Sequence, residues 1–159
     1  MLIAALKDSD KRVRQQAALA LATVSDNSGI SVLVDTLRDG HDYNHYDVER
    51  EAMEALVKIG QPAVLVLIAA FKNSSAAAVS LEVDTLTKIG QPAVPALLTA
   101  LSDNDHLVYY SAATALGRIG GKTGDKTVVS ALKAADRKYH HGHLCCCDIC
   151  AALYKLGAK

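Results

Sequence analysis

The sequence contains a repeated segment, KIGQPAV, which stands at Lys58–Val64 and again at Lys88–Val94. The two copies are 30 residues apart, and a degraded third copy, Arg118–Gly121, follows after another 30. A repeat of this length is typical of stacked copies of one supersecondary unit, each burying its apolar face against its neighbours. The repetition therefore predicts a stack of repeats and not one mixed core.

Each copy is predicted to contain a first helix, A, and a second helix, B. Proline in the first turn of A costs no hydrogen bond, because the N–H it lacks would have no partner there. Glycine is common just past the end of a helix, and four glycines follow the last apolar residue of B: Gly60, Gly90, Gly120 and Gly157. Such short links leave no room for strands, so the pattern predicts an all-α solenoid of about five helical hairpins. The chain forms one domain with repeats at approximately 1–29, 30–60, 61–90, 91–122 and 123–159.

The apolar residues of the B helices align in columns over the five copies. Their spacing covers one face of a helix with 3.6 residues per turn. The column that begins each helix reads Val13, Val48, Ala78, Val108 and Cys145. Glu82 is the discordant residue in a later column, and we interpret it as either a local shift of register or a carboxylate that turns out to solvent.

The composition excludes several classes of protein. The 17 acidic and 17 basic residues balance, which argues against nucleic acid or an anionic membrane as the main partner. No apolar run approaches the roughly 18 residues of a membrane span, and the opening residues lack the basic leader of a signal peptide. We therefore expect a cytoplasmic protein.

Two stretches, Asp8–Leu21 and Ser102–Gly117, resemble the HEAT-like repeat and are most similar to the branch named after phycobilisome lyases. The resemblance covers nearly the whole chain and implies an α-α superhelix whose B helices line the concave surface. The family's B-helix arginine is present as Arg14. Its column continues as Glu49, Val79, Tyr109 and Cys146, so a continuous ladder of Asp–Arg pairs is not expected.

In that architecture, the residues opposite the core columns face the groove. They are acidic along the middle of the groove and basic along one edge, although cations in the last turn of a helix also complement its dipole. We predict a non-catalytic scaffold or adaptor that binds a protein or peptide. The histidines and most tyrosines lie in or beside A-to-B turns on one edge of the stack, which forms a rim. The predicted contact residues are Arg50, Glu54, Asp84 and Tyr110 in the groove, with Tyr43, His45 and Tyr46 on the rim.

Two alternatives stay open. The resemblance alone implies a subunit or chaperone of a lyase for bilin, an open-chain tetrapyrrole. The other alternative is a zinc-binding module, because His143, Cys147 and Cys150 share one helical stripe and zinc accepts nitrogen and sulfur ligands. Buried cysteines explain the same pattern as small apolar residues, so no cofactor is favoured. No catalytic residue is assigned, because nothing in the chain supplies an acid or an oxyanion hole beside Cys147.

The first A helix, Leu2–Lys7, is about half as long as the others. The ends of solenoids normally carry a polar cap. The short helix therefore indicates either self-association through this end or a place within a longer array.

Overall fold

A computed structural model of the protein describes residues 2–6, 8–24, 27–39, 46–123 and 126–139. Within these ranges the chain is helical and contains no strand, which confirms the predicted all-α fold. The α-helices are α1 (Leu2–Ala5), α2 (Lys11–Val24), α3 (Asn27–Asp39), α4 (Tyr46–Ile59), α5 (Gln61–Ala70), α6 (Ala76–Ile89), α7 (Val94–Ala100), α8 (His106–Thr123) and α9 (Lys126–Tyr139). Two single turns of 3-10 helix, Phe71–Asn73 and Gln91–Ala93, follow α5 and precede α7.

The helices form two layers. The B helices α2, α4, α6 and α8 pack one on the next and make up the first layer. The A helices α3, α5, α7 and α9 make up the second, and each A helix from α1 to α7 also packs against the B helix that follows it. The B helices contact one another more extensively than the A helices do. The B layer is therefore the more closely packed side of the stack.

The core lies between the two layers and follows the predicted columns. Leu56, Leu86 and Leu116, which occupy one column in three successive B helices, are fully buried. Phe71, the only phenylalanine of the chain, is also fully buried at the end of α5. Val13 differs from Val48, Ala78 and Val108 in its column because 39% of its surface is exposed, whereas they are buried. The periodicity of the sequence thus identifies much of the core that the B helices contribute.

The repeated segment forms the joint between a B helix and the next A helix. The N–H of Gly60 donates to the carbonyl of Leu56 at 3.0 Å and closes the last turn of α4. The carbonyl of Gly60 accepts from the N–H of Ala63 at 3.0 Å and begins α5, and Gly90 makes the same two bonds one repeat later. The two glycines have φ of 71° and 77° with ψ of -128° and -134°. This region is essentially restricted to glycine, which explains why both copies carry it.

The predicted helix end at Gly120 is wrong, because α8 continues through Gly120 and Gly121 to Thr123. The third copy lacks the Gln-Pro pair that follows Gly60 and Gly90. Proline removes an N–H and its ring clashes with the preceding turn, so without it the helix continues. Arg118 consequently does not lie in a last turn, and the interpretation from the helix dipole fails for this residue. Gly157 lies outside the described residues.

Candidate functional site

The four groove residues predicted from the sequence lie on three successive B helices. Arg50 and Glu54 on α4 are exposed, and Asp84 on α6 and Tyr110 on α8 are partly exposed. We call the exposed side of the B layer, which carries these residues, the B face. Its charged side chains differ from repeat to repeat in whether they are paired.

Between α6 and α8, the B face carries an ion pair that joins Asp84 to Arg118. The equivalent residues one repeat earlier are Glu54 and Lys88, and they do not pair. Instead, the ammonium of Lys88 lies 3.1 Å from the sulfur of Met53. In the part of the chain that the structure describes, Glu54 forms neither an ion pair nor a hydrogen bond through its side chain, and the same is true of Lys58. On this face, Asp84 and Arg118 are therefore paired, whereas Glu54 and Lys58 have no partner among the described residues.

The open charges border a cleft of about 210 Å³ between α2 and α4. Leu19 of α2 is half-buried and gives the cleft an apolar wall, whereas Glu54 and Lys58 of α4 are exposed. The other lining residues are Gln16, Ala18, Glu51 and Ala55. The cleft thus combines an apolar surface with one charge of each sign, and its volume suits a side chain and not a large cofactor.

Arg14 and Glu51 form a buried ion pair that joins α2 to α4. Their Nε and Oε2 atoms are 3.3 Å apart, and the side chains are 9% and 2% exposed. Nη1 of Arg14 also donates to the carbonyls of Asp8 and Ser9, at 3.0 and 3.1 Å. The family resemblance identified Arg14, but sequence reasoning missed Glu51. Nothing in the local pattern pairs residues on two different repeats.

An aromatic cluster lies at the beginning of α8. The ring of His106 is nearly parallel to that of Tyr110, with centroids 5.9 Å apart and an interplanar angle of 8°. Tyr109 meets the same histidine edge-on at 5.3 Å. Residues four apart on a helix are neighbours, so the spacing of His106 and Tyr110 could have predicted their contact. The cluster gives the B face a flat, partly exposed aromatic surface.

Glu82 keeps the register of its column and is fully buried. Neither interpretation made from the sequence, a register shift or a solvent-facing carboxylate, is correct. The carboxyl atom Oε1 lies 2.7 Å from the hydroxyl of Ser74. Burial raises the pKa of Glu82 to about 7, against the opposing effects of the Ser74 hydrogen bond and the positive charge of Arg38. Sequence reasoning missed this group because Ser74 lies in a turn that the periodicity does not describe.

Several predicted residues lie outside the described ranges. They include Tyr43 and His45 of the rim and His143, Cys147 and Cys150 of the zinc hypothesis, whereas Tyr46 begins α4. These assignments stay predictions. Within the described ranges, no three His, Cys, Asp or Glu residues are grouped to hold a metal ion. None of the described helices is both long and apolar enough to cross a membrane.

The two layers of helical hairpins define the class of α-solenoid proteins. A sequence profile of HEAT repeats matches residues 1–83, which is more than half of the 159 residues. The chain therefore belongs to the HEAT-repeat family. This match does not single out the phycobilisome-lyase branch, and the bilin hypothesis stays a prediction.

Comparison with curated proteins finds no match. Among solved structures, a crystal structure of an engineered protein is similar to this chain. The two are 21% identical, and the match covers 98% of this chain and 76% of that chain with a TM-score of 0.41. A likeness at this level carries no argument about fold or function.

Proposed function

We propose that this protein is a non-catalytic scaffold that binds a protein or peptide segment along its B face. Stacked helical repeats create extended surfaces that such proteins use for binding. The observation that carries the proposal is the contrast between two sets of charged residues on this face. Asp84 has a partner in Arg118, whereas Glu54 and Lys58 have none within the described residues and border a cleft.

Exposed charges at a cleft can meet complementary charges on a partner. Such complementarity steers the encounter and fixes the register of binding, while apolar contact supplies much of the affinity. Leu19 of α2 lines the same cleft as Glu54 and Lys58 of α4 and offers that apolar contact. The matching ligand is a peptide segment with a basic side chain for Glu54, an acidic one for Lys58 and a small apolar one between them.

The remaining predicted residues extend the same surface along the stack. Arg50 lies one turn before Glu54 on α4, and Tyr110 lies two repeats further on, beside His106. Tyrosine and arginine are enriched among the residues that dominate binding energies at interfaces. We therefore place the centre of the contact at the cleft and its far end at the aromatic cluster.

The proposal is tested by selecting binders from a peptide library that contains both signs of charge. Glu54→Lys and Lys58→Glu are then measured separately against the selected peptides by calorimetry or fluorescence anisotropy. Each reversal should weaken binding by about tenfold or more, since like charges opposed across an interface cost several kcal/mol. Peptides selected on the Glu54→Lys protein should carry an acidic side chain where the first set carries a basic one.

The matched control is Ala69→Lys, which adds a charge at an exposed position on the A helix α5 and should leave affinity unchanged. The double variant Arg50→Ala/Tyr110→Ala tests the far end of the contact and should also weaken binding. All of these positions are at least partly exposed, so the variants should remain folded. Equal binding by the wild type and all B-face variants would refute the proposal.

A further inference from the structure

Glu82 occupies a position that the other described repeats fill with alanine. The equivalent residues on α2, α4 and α8 are Ala17, Ala52 and Ala112, and all of them are buried. In the third repeat, the same place in the core therefore holds a carboxyl group in place of a methyl group. A buried carboxyl is costly unless it is neutral or fully paired, so its hydrogen bonds determine which form the fold accepts.

The hydroxyl of Ser74 lies within hydrogen-bonding distance of two acceptors. Its oxygen is 2.9 Å from the carbonyl of Ala70 and 2.7 Å from Oε1 of Glu82. A serine hydroxyl has one hydrogen and can donate only one bond, but it can also accept. Both contacts become hydrogen bonds when Glu82 is protonated, donates to Ser74, and Ser74 donates to Ala70. With an ionised Glu82, one of the two contacts brings together oxygens that have no hydrogen between them.

The second carboxyl oxygen, Oε2, is buried and has no hydrogen-bond partner within the described residues. An orphaned carbonyl oxygen of a neutral acid costs less than an orphaned oxygen of a carboxylate. Burial correspondingly raises the pKa of Glu82 to about 7, in spite of the Ser74 hydrogen bond and the charge of Arg38. Two independent features, the bonding of Oε1 and the lack of it at Oε2, thus favour the protonated form.

The cations near Glu82 are engaged elsewhere. On α3, Arg38 donates to Asp35 and to the carbonyl of Asn73, both at 3.1 Å, and acts on Glu82 only through its charge. On the 3-10 turn, Lys72 pairs with Asp103 at 3.3 Å.

Among the described residues, the other helices packed against α6 place no cation in an ion pair with Glu82 either. The helix α5 has no charged residue. On α8, Arg118 pairs with Asp84 on the B face, and Tyr109 packs against His106 and has a further partner. On α4, the buried Glu49 is itself acidic and has a partner of its own.

We infer that Glu82 is a neutral acid in the folded protein, and that its proton completes the hydrogen bonds that connect α6 to α5. In the protonated form, Glu82 of α6 donates to Ser74, and Ser74 donates to the carbonyl of Ala70, the last residue of α5. Loss of the proton leaves a buried carboxylate and breaks one of these two hydrogen bonds. In the same turn, the carbonyl of Asn73 accepts a hydrogen bond from Arg38 of α3. Loss of the proton therefore also weakens the contact between this turn and the second repeat.

Carbon-detected NMR of the full chain, with glutamate labelled at the side-chain carboxyl, tests the inference in the wild-type protein. The carboxyl signal of Glu82 is identified by its absence from the Glu82→Gln spectrum. We expect the carboxyl of Glu82 to titrate well above the ordinary glutamate value of 4.5, with a pKa of about 7. The backbone amide shifts of Asn73, Ser74 and Ser75 should change at the same midpoint. In Glu82→Gln, whose side-chain amide can donate to Ser74 but cannot ionise, those amides should show no transition there.

Two results would overturn the inference. The first is a carboxyl midpoint at Glu82 near the ordinary value of 4.5, which means that the acid is ionised in the folded protein at neutral pH. The second is an elevated midpoint with no accompanying change in the amides of the turn, which means that the proton is bound but does not connect α6 to the turn. A binding measurement on the B-face variants is independent of both results, so this inference and the proposed function can fail separately.

Discussion

Arg14 of α2 and Glu51 of α4 form a nearly buried ion pair that joins the first two repeats, with 3.3 Å between Nε and Oε2. Removing one partner of a buried pair leaves the other charge buried without a partner and typically costs about 3–5 kcal/mol of stability. Replacing both partners by apolar residues costs much less stability. We expect Arg14→Met and Glu51→Leu each to destabilise the protein by about this amount.

The double variant Arg14→Met/Glu51→Leu should be distinctly more stable than the sum of the two losses predicts. The double variant still loses the bonds from Arg14 to the carbonyls of Asp8 and Ser9, so it should remain less stable than the wild type. Urea denaturation of all four proteins gives the coupling energy. Strictly additive losses would show that the pair contributes nothing as a pair.

The buried Glu82 should make stability depend on pH. Its pKa is about 7 in the folded protein against an ordinary value of 4.5, so the folded state binds the proton more tightly. The resulting stabilisation is fully present below the unfolded pKa and is lost as pH rises through the folded one. The loss amounts to about 3 kcal/mol, which is the free-energy equivalent of the shift. The Glu82→Gln variant cannot ionise and should gain stability relative to wild type by about this amount between pH 4.5 and pH 8.

Urea denaturation of both proteins across that range measures the trend. Glu54→Gln is the matched control, because it makes the same substitution at an exposed position. A constant difference between wild type and Glu82→Gln at every pH would contradict the prediction.

Substitutions at Gly60 and Gly90 should destabilise the protein through backbone strain and not through steric clashes. A Cβ built on Gly60 would come no closer than 4.0 Å to the carbonyl oxygen of Val57, and one on Gly90 would meet nothing within 4 Å. Both nevertheless have a positive φ, and a non-glycine residue in such a region costs about 1–3 kcal/mol. Gly60→Ala and Gly90→Ala should each be destabilised by that amount.

Gly121→Ala is the control for this experiment. Gly121 is helical within α8, is exposed and also has open space around its Cβ position. Alanine there should stabilise the protein by about 0.5–1 kcal/mol, because glycine in a helix loses more conformational entropy on folding. Thermal denaturation compares the three variants, and losses of the same size at all three positions would contradict the backbone explanation.

The ion pair between Asp84 and Arg118 should contribute little to stability. The two side chains are 45% and 48% exposed, and exposed pairs typically contribute about 0–1 kcal/mol. A double-mutant cycle with Asp84→Asn and Arg118→Gln should give a coupling energy in this range that falls further at high salt, because salt screens exposed charges. A coupling energy well above this range would show that the B face is part of the stabilising framework, and variants there would then perturb folding as well as binding.

The fold could be predicted from the sequence because the repeat imposes the same apolar columns on every B helix. Leu56, Leu86 and Leu116 were identified as core from spacing alone and are fully buried. The end of α8 could not be predicted by analogy, since Gly120 resembles Gly60 but lacks the proline that stops the helix. The four predicted groove residues are at least partly exposed on three successive B helices, and their role in binding stays a prediction. The partners of Asp84 and Lys88 could not be predicted, because they depend on how far side chains reach between repeats.

The sequence by itself determined the helical period, the joints at Gly60 and Gly90 and the face that each B helix buries, because these follow from neighbours a few residues apart. Only the tertiary structure decided how the charges are arranged. Arg14 meets Glu51, Asp84 meets Arg118, and Glu82 is buried beside Ser74, where none of the described residues supplies a cation that pairs with it. These relationships depend on the packing of one repeat or turn against another. A carboxylate in an apolar column can be exposed, paired or protonated, and its surroundings in three dimensions select among these states.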